Sequence, residues 1–290
     1  MFKLATFGDE ISQDLNELVK VCKQQKIGAV EVRSTWNKGP HQLSKEEIKT
    51  IRAKFRDNGI KVCSIAAPFF KCDIDSRKEI LEHYDILNKC SELAHTLGTK
   101  IVRGFTFWRK GDFDVYYPRI LDEFVPIVKL VKKNKIILGI ENEHSCFVGT
   151  GRQLGRFLGD INSPVIRATW DPANEIHDVT YGEAPFPTGF SFVKKYMVHY
   201  HMKDAVRMGE SGKPECVPVG EGDINYWGQF KALKDMGYNG YVSLETHWRM
   251  KVAKMSEATM NRPGGAAYTN GAADSSIYCL GNIKKIIKSL

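Results

Sequence analysis

The sequence predicts a closed (β/α)8 barrel formed as a single domain over residues 1–290. Three observations point there. Eight short β-rich runs alternate with longer amphipathic stretches, the pattern of a parallel sheet with crossover helices. A length of 290 residues suits a barrel, which often uses about 250 as one unit. No GxGxxG follows the first β-rich run, so a dinucleotide-binding open sheet lacks its phosphate signature. An open doubly wound sheet shows the same alternation, and it is the count of eight that favours closure.

The β-rich runs are 2–7, 28–32, 61–66, 100–105, 136–141, 165–170, 197–201 and 241–245. After the first, Leu15, Leu18, Val19 and Cys22 recur at the spacing of one helix face. After the second, Ser44 with Glu47 reads as a capping box ahead of Ile48, Ile51 and Phe55. A similar pair, Ser76 with Glu79, leads into Ile80, Tyr84, Leu87, Cys90, Ala94 and Leu97, and Gly98 stands where a helix-ending glycine belongs. Further helices are predicted over 114–133, 152–160, 188–195, 226–237 and 272–288. The long loops, 108–113, 174–187, 205–224 and 249–271, all follow β-runs, on the face where a barrel keeps its active site. The Gly-rich stretch 261–271 reads as a flexible loop, or as a cover for a neighbouring copy's site.

Composition narrows the class. The opening MFKLATFGDE has no charged segment followed by an apolar one and a small-residue cleavage site, and no run approaches the roughly 18 apolar residues of a membrane span. The expectation is a cytoplasmic protein without a membrane partner. Seven cysteines, an odd number with no CxxC pair, argue against a disulfide framework and a thiolate zinc site, leaving them as small apolar residues. The net charge of +8 would suit an anionic partner, but its lysines are scattered over helix-like segments as a solvated surface.

Four of the β-runs end in a group able to ligate a metal: Glu141, Asp171, His201 and Glu245. Thirty positions separate Glu141 from Asp171 and another 30 separate Asp171 from His201, each about one βα unit, so the side chains recur at one level of the mouth. Singly, a strand-end carboxylate is more often salt-bridged, and a lone histidine is more often a hydrogen-bonded core residue. Together, three carboxylates and an imidazole without nearby arginines would repel unless a cation sat among them. Such a set suits Mn2+ first, with Mg2+, Co2+ or Zn2+ as alternatives.

The stretches GIENEH, WDPAN, YHMKD, VGEGDINY and GYNGYVSLETHW resemble the xylose-isomerase-like sugar isomerase/epimerase family, which also includes ketose 3-epimerases, inosose dehydratases and endonuclease IV-type enzymes. The resemblance spans nearly the whole chain and is most specific over 136–248. It implies one divalent ion held by Glu141, Asp171, His201 and Glu245, with Glu141 and Glu245 removing and returning a proton through an enediolate. The substrate implied is a small ketose, keto-sugar or sugar phosphate, and a homo-oligomer is expected by the same analogy.

Other residues follow in rank. His144 serves as an acid or base, or orients Glu141. Arg207 stands six positions after His201, where the 3-epimerase members carry a substrate-binding arginine. Lys203, Asn174 and Arg103 are placed to meet substrate oxygens, and Trp108, Trp36, Phe69 and Trp248 to wall a sugar ring. Glu31 and His247 are weaker candidates. Phe147 and Asn174 depart from the 3-epimerase pattern of glutamate and histidine, which keeps open a dehydratase or lyase acting on a keto-inositol or keto-glycoside, with His144 protonating the leaving group. A non-catalytic sugar-binding subunit is the third reading. Nucleic acid is not expected, because the ligands suffice for one metal and not three.

Overall fold

The computed structural model describes residues 1–250 and 271–290, so the proposed cover segment lies outside the described residues except for Gly271. Ten strands occur among them: β1 Lys3–Phe7, β2 Ala29–Val32, β3 Lys61–Phe69, β4 Ile101–Gly104, β5 Ile137–Glu141, β6 Ile166–Trp170, β7 Met197–Met202, β8 Asp204–Val206, β9 Glu215–Val217 and β10 Tyr241–Leu244. Eight of them close into a parallel barrel in the order β1-β10-β7-β6-β5-β4-β3-β2. At the seam, Lys3 to Thr6 run in register with Tyr241 to Leu244, and Phe7 is registered against Glu31 of the second strand.

The helices are α1 Leu15–Gln24, α2 Lys45–Asp57, α3 Arg77–Leu97, α4 Phe113–Lys133, α5 Gly151–Ile161, α6 Pro172–His177, α7 Phe190–Val193, α8 Tyr226–Asp235 and α9 Ala272–Lys288. Their ends obey local chemistry. Ser44 and Glu47 form the reciprocal capping box at the start of α2. Ser76 accepts the Glu79 N–H, but the Glu79 carboxylate takes the N–H of Asp73, completing the turn before α3. Gly98 closes α3 in the left-handed conformation, φ +80°.

Three departures from the sequence pattern have physical causes. The helix expected over 188–195 is observed as the single turn α7 followed by a 3-10 turn at Lys194–Tyr196, and a π turn at Pro185–Gly189 precedes it, where Pro185 and Pro187 lack donors and Phe186 is extended. The loop expected from 174 begins inside α6, whose N-cap is Asp171. The loop expected over 205–224 carries the β8–β9 hairpin, whose three-residue strands are too short to show alternation.

The main core lies between barrel and helices. Ile51, Leu87, Ile120, Phe124 and Ile127 are fully buried, and Phe70 stacks on both Phe69 and Phe107 with Phe124 edge-on. All seven cysteines are free and six are buried. Inside the barrel, Ala5, Ala29 and Cys63 form a separate cluster of small side chains. Towards the C-terminal end the buried residues turn polar, with Glu31, Ser64, Thr169, His199, His201 and Ser243 all fully buried. Among the described residues no helix is long and apolar enough to cross a membrane.

Two glycines test this packing with opposite signs. A Cβ at Gly151, the first residue of α5, would lie 2.5 Å from the Gly189 carbonyl oxygen, with only backbone to give way. Gly151→Ala should therefore lose about 2 kcal/mol, read as a lower urea midpoint. Gly281, inside α9, has open space, and Gly281→Ala should gain roughly 0.5–1 kcal/mol by restricting the unfolded chain.

Candidate metal centre

Glu141 is the last residue of β5, Asp171 directly follows β6, His201 lies in β7, and Glu245 directly follows β10. Each offers one ligand atom, and these four atoms lie within 4.8 Å of one another. All four residues are buried. Asn142, which the sequence did not single out, splices two of the loops: its Nδ2 donates to the Asp171 carbonyl at 2.8 Å and its Oδ1 accepts the Asp171 N–H at 2.9 Å. Asp171 spends Oδ1 on capping α6, accepting the N–H groups of Ala173 and Asn174, which leaves Oδ2 to the Lys203 ammonium.

The expectation that no arginine compensates these carboxylates is overturned. Arg33 reaches Glu245 Oε1 at 2.6 Å, Asp9 Oδ2 at 2.8 Å and Glu10 Oε1 at 2.8 Å. Arg103 Nη1 lies 3.1 Å from Glu141 Oε2. Lys203 Nζ stands 3.0 Å from Asp171 Oδ2 and 3.3 Å from Glu245 Oε2. The sequence hid this because Arg33 and Glu245 are 212 positions apart and meet only across the seam. A signal was nonetheless present: Arg33 and Asp9-Glu10 also follow strand ends closely, by the rule that found the ligands.

These neighbours set the protonation states. Burial pushes the Glu245 carboxyl up, but Lys203, His247 and Arg33 outweigh it and hold it well below the usual carboxylate range. Burial likewise raises Glu141, and His201 with Arg103 brings it below its ordinary value. Asp171 ends above its ordinary value, because burial exceeds the help from Lys203 and the two glutamates push the same way. His201 is the reverse case: burial favours the neutral ring, yet Glu31 and Glu141 flank it and lift it to about 10. Without an ion, the imidazolium supplies part of the missing positive charge.

The donor set fits a divalent ion. Three carboxylates and an imidazole from four strand ends converge, and the Asp171 oxygen not used in the helix cap meets only the Lys203 ammonium among the described residues. His201 Nδ1 stands 3.2 Å from Glu141 Oε1, a separation that two ligands of one ion also adopt.

Around this centre the sequence candidates divide. Asn174 gives its amide to Glu141 Oε1 at 3.2 Å and accepts Lys203 Nζ at 3.2 Å. His144 is half-buried, its Nδ1 3.4 Å from Asn174 Oδ1 and 3.1 Å from Glu143 Oε1. His247 Nε2 lies 3.2 Å from Glu245 Oε1. Trp108 is half-buried with Lys71 5.4 Å above its ring, and Lys71 in turn pairs with Glu143 at 2.9 Å. Arg207 is not brought to the cluster: it is exposed, and its guanidinium bonds the Glu183 carbonyl. Phe69 is inside the aromatic core, Trp36 is half-buried, and Trp248 packs on Tyr278 of α9. Phe147 is fully buried against Tyr116.

A closed (β/α)8 barrel with a buried carboxylate–histidine cluster at its C-terminal mouth defines a class of barrel proteins with a site able to hold a metal ion. The chain belongs to the xylose isomerase-like TIM barrel family, whose model matches residues 19–267. An uncharacterized protein of Methanocaldococcus jannaschii is 26% identical over 218 residues, 71% of each chain. Two solved structures share the fold over nearly the full length. The probable 3-DHS dehydratase AsbF of Bacillus anthracis has TM-score 0.73 at 15% identity, covering 99% of both chains. A D-allulose 3-epimerase from Methylomonas sp. has TM-score 0.73 at 13% identity, covering 100% of this chain and 98% of that one.

The protonated His201 ring makes metal uptake pH-dependent. With the ring titrating at about 10, an ion entering at pH 8 must displace a proton from it. Apparent affinity should therefore rise with pH, by up to about tenfold per unit below that value. Titration calorimetry with Mn2+ in buffers of different ionisation enthalpy should show about one proton released per ion at pH 8. Release of none would mean that the free protein keeps the ring neutral.

Proposed function

We propose that this chain is a divalent-metal-dependent isomerase or epimerase of a keto-sugar or its phosphate, using Glu141 and Glu245 as its acid–base pair and most readily taking Mn2+. The observation that carries this reading is the convergence of Glu141, Asp171, His201 and Glu245 within 4.8 Å, with both glutamates held ionised by cations of their own. An ion held by these four residues supplies Lewis-acid polarisation of a substrate carbonyl. The rest of the chemistry falls to the protein. An ionised glutamate at the mouth can take the acidic proton from the carbon beside that carbonyl, leaving an enediolate. Delivery of a proton to the opposite face by the second glutamate, once that carboxylate has itself taken a proton from solvent or a substrate hydroxyl, inverts the centre, whereas delivery to the adjacent carbon gives isomerisation. Lys203, already donating to Asn174 and paired with Asp171 and Glu245, meets a substrate oxygen by exchanging one of these partners for it. Asn174 and Arg103 hold Glu141 from two sides, keeping its carboxylate fixed.

A dehydratase or lyase on a keto-inositol or keto-glycoside is the second reading, and one observation favours it. His144 is half-buried rather than sealed, and lies within 3.4 Å of Asn174, so an acid for a leaving group stands beside the ligands.

Proton exchange in D2O tests both. Mn2+-loaded protein, incubated with ketoses, keto-inositols and 3-keto-glycosides, should wash out one α-proton signal by NMR. Glu245→Gln should slow that exchange by at least about 100-fold under conditions where metal uptake is verified. Epimer or isomer as product supports the first reading, and loss of water or an alcohol supports the second. Absence of exchange across the panel with metal bound would sink the enediolate mechanism.

A further inference from the structure

Beside the four ligands, a buried carboxylate, Glu31, receives both histidines of β7. His199 Nε2 lies 2.7 Å from Glu31 Oε2, and His201 Nε2 lies 3.2 Å from the same oxygen and 3.4 Å from Oε1. All three side chains are fully buried. The other nitrogen of His201, Nδ1, faces the metal cluster at 3.2 Å from Glu141 Oε1. The two edges of the His201 ring thus meet different chemistry. The ring is also held in place: Phe7 packs edge-on against it at 5.0 Å, and His199 does so at 5.2 Å.

Building on the metal-site reading, we infer that Glu31 is a positioning residue that makes His201 an Nδ1 ligand by accepting its Nε2–H, and that His199 holds Glu31 in place. A histidine can offer a lone pair at one nitrogen only if the other carries the proton. A buried carboxylate fixed on Nε2 assigns that proton and increases the donor strength of Nδ1. His199 fits the same logic. Its Nε2 is spent on Glu31, while its Nδ1 has no hydrogen-bond partner among the described residues, so the ring engages its surroundings through the edge that holds Glu31.

Glu31, His199 and His201 also lie close enough together to be considered as an ion site of their own. The distances argue against it. Ligands at about 2.1 Å around a tetrahedral ion stand about 3.4 Å from one another. The 2.7 Å between His199 Nε2 and Glu31 is instead that of a direct hydrogen bond to a charged group.

The test is Mn2+ binding, measured without reference to turnover. Glu31→Gln keeps an oxygen for the His201 N–H but removes the charge, and should weaken Mn2+ binding by about 10- to 100-fold in titration calorimetry. His199→Gln should weaken it less. A second measurement needs no variant: wild-type protein grown with histidine labelled with 15N at Nδ1 alone, loaded with Mn2+, should show a directly coordinated 15N by pulsed EPR. Coordination through unlabelled nitrogen overturns the inference, and so does Glu31→Gln protein that folds and binds Mn2+ as tightly as wild type. Either result leaves the proposed metal site standing. Wild-type protein that takes up no Mn2+ overturns that site and this inference together. Two ions per chain, with one lost in His199→Gln, replace the inference with a second ion between Glu31 and His199.

Discussion

Residues 241–244 pair with residues 3–6 on one side and with 199–202 on the other, and through these two ladders β10 delivers Glu245 to its neighbours. On the β1 and β2 side stand Asp9, Glu10 and Arg33. On the β7 side stand His201 and Lys203. Parallel strands of one sheet end on the same face, so closure converts a set of strand ends far apart in the chain into a ring of facing side chains. In an open sheet, β1 and β10 would be separate edges and Arg33 would have no Glu245 to meet.

That ring is heavily charged and buried, which a protein interior tolerates only when each charge has a partner. Arg33 answers three carboxylates, Arg103 answers Glu141, and Lys203 answers Asp171 and Glu245. The His201 imidazolium, between Glu31 and Glu141, adds a further positive charge in the ion-free protein. Such pairing holds the glutamates ionised, the state in which they can bind a cation or accept a proton. It also ties the site to its surroundings: removing Arg33 would take a partner from Asp9, Glu10 and Glu245 at once, leaving Arg249 on Glu10 and Lys203 on Glu245.

Likeness to the dehydratase and to the epimerase is equal in TM-score and low in identity, and it establishes a shared barrel rather than a shared reaction. The argument for chemistry therefore rests on side chains. Here the two departures from the 3-epimerase pattern have structural content. Phe147 belongs to the packing around Tyr116 and carries no carboxylate to the mouth. Asn174 joins Glu141, Lys203 and His144 through one amide, a bridging role open to a side chain that both donates and accepts.

Much of the barrel was legible in the chain because strand and helix periods are local properties. Alternating runs, the Ser44–Glu47 box and Gly98 all act within a few residues, and their structural counterparts lie where expected. The strand-end positions of Glu141, Asp171, His201 and Glu245 were equally readable, since the 30-residue steps follow the repeating unit. Pro185 and Pro187 fall in the loop expected over 174–187, and the turn at Pro185–Gly189 leads from that loop into α7. What the sequence could not decide was charge compensation and exposure. The pairs Arg33–Glu245, Arg103–Glu141 and Glu31–His199 join residues 212, 38 and 168 positions apart, and Arg207, well placed in the chain, lies exposed outside the cluster. The sequence by itself determined a closed parallel barrel with four ligand-capable side chains at one end. Only the tertiary structure decided which cations accompany them, because partners across a barrel are chosen by strand order and register, which no local spacing records.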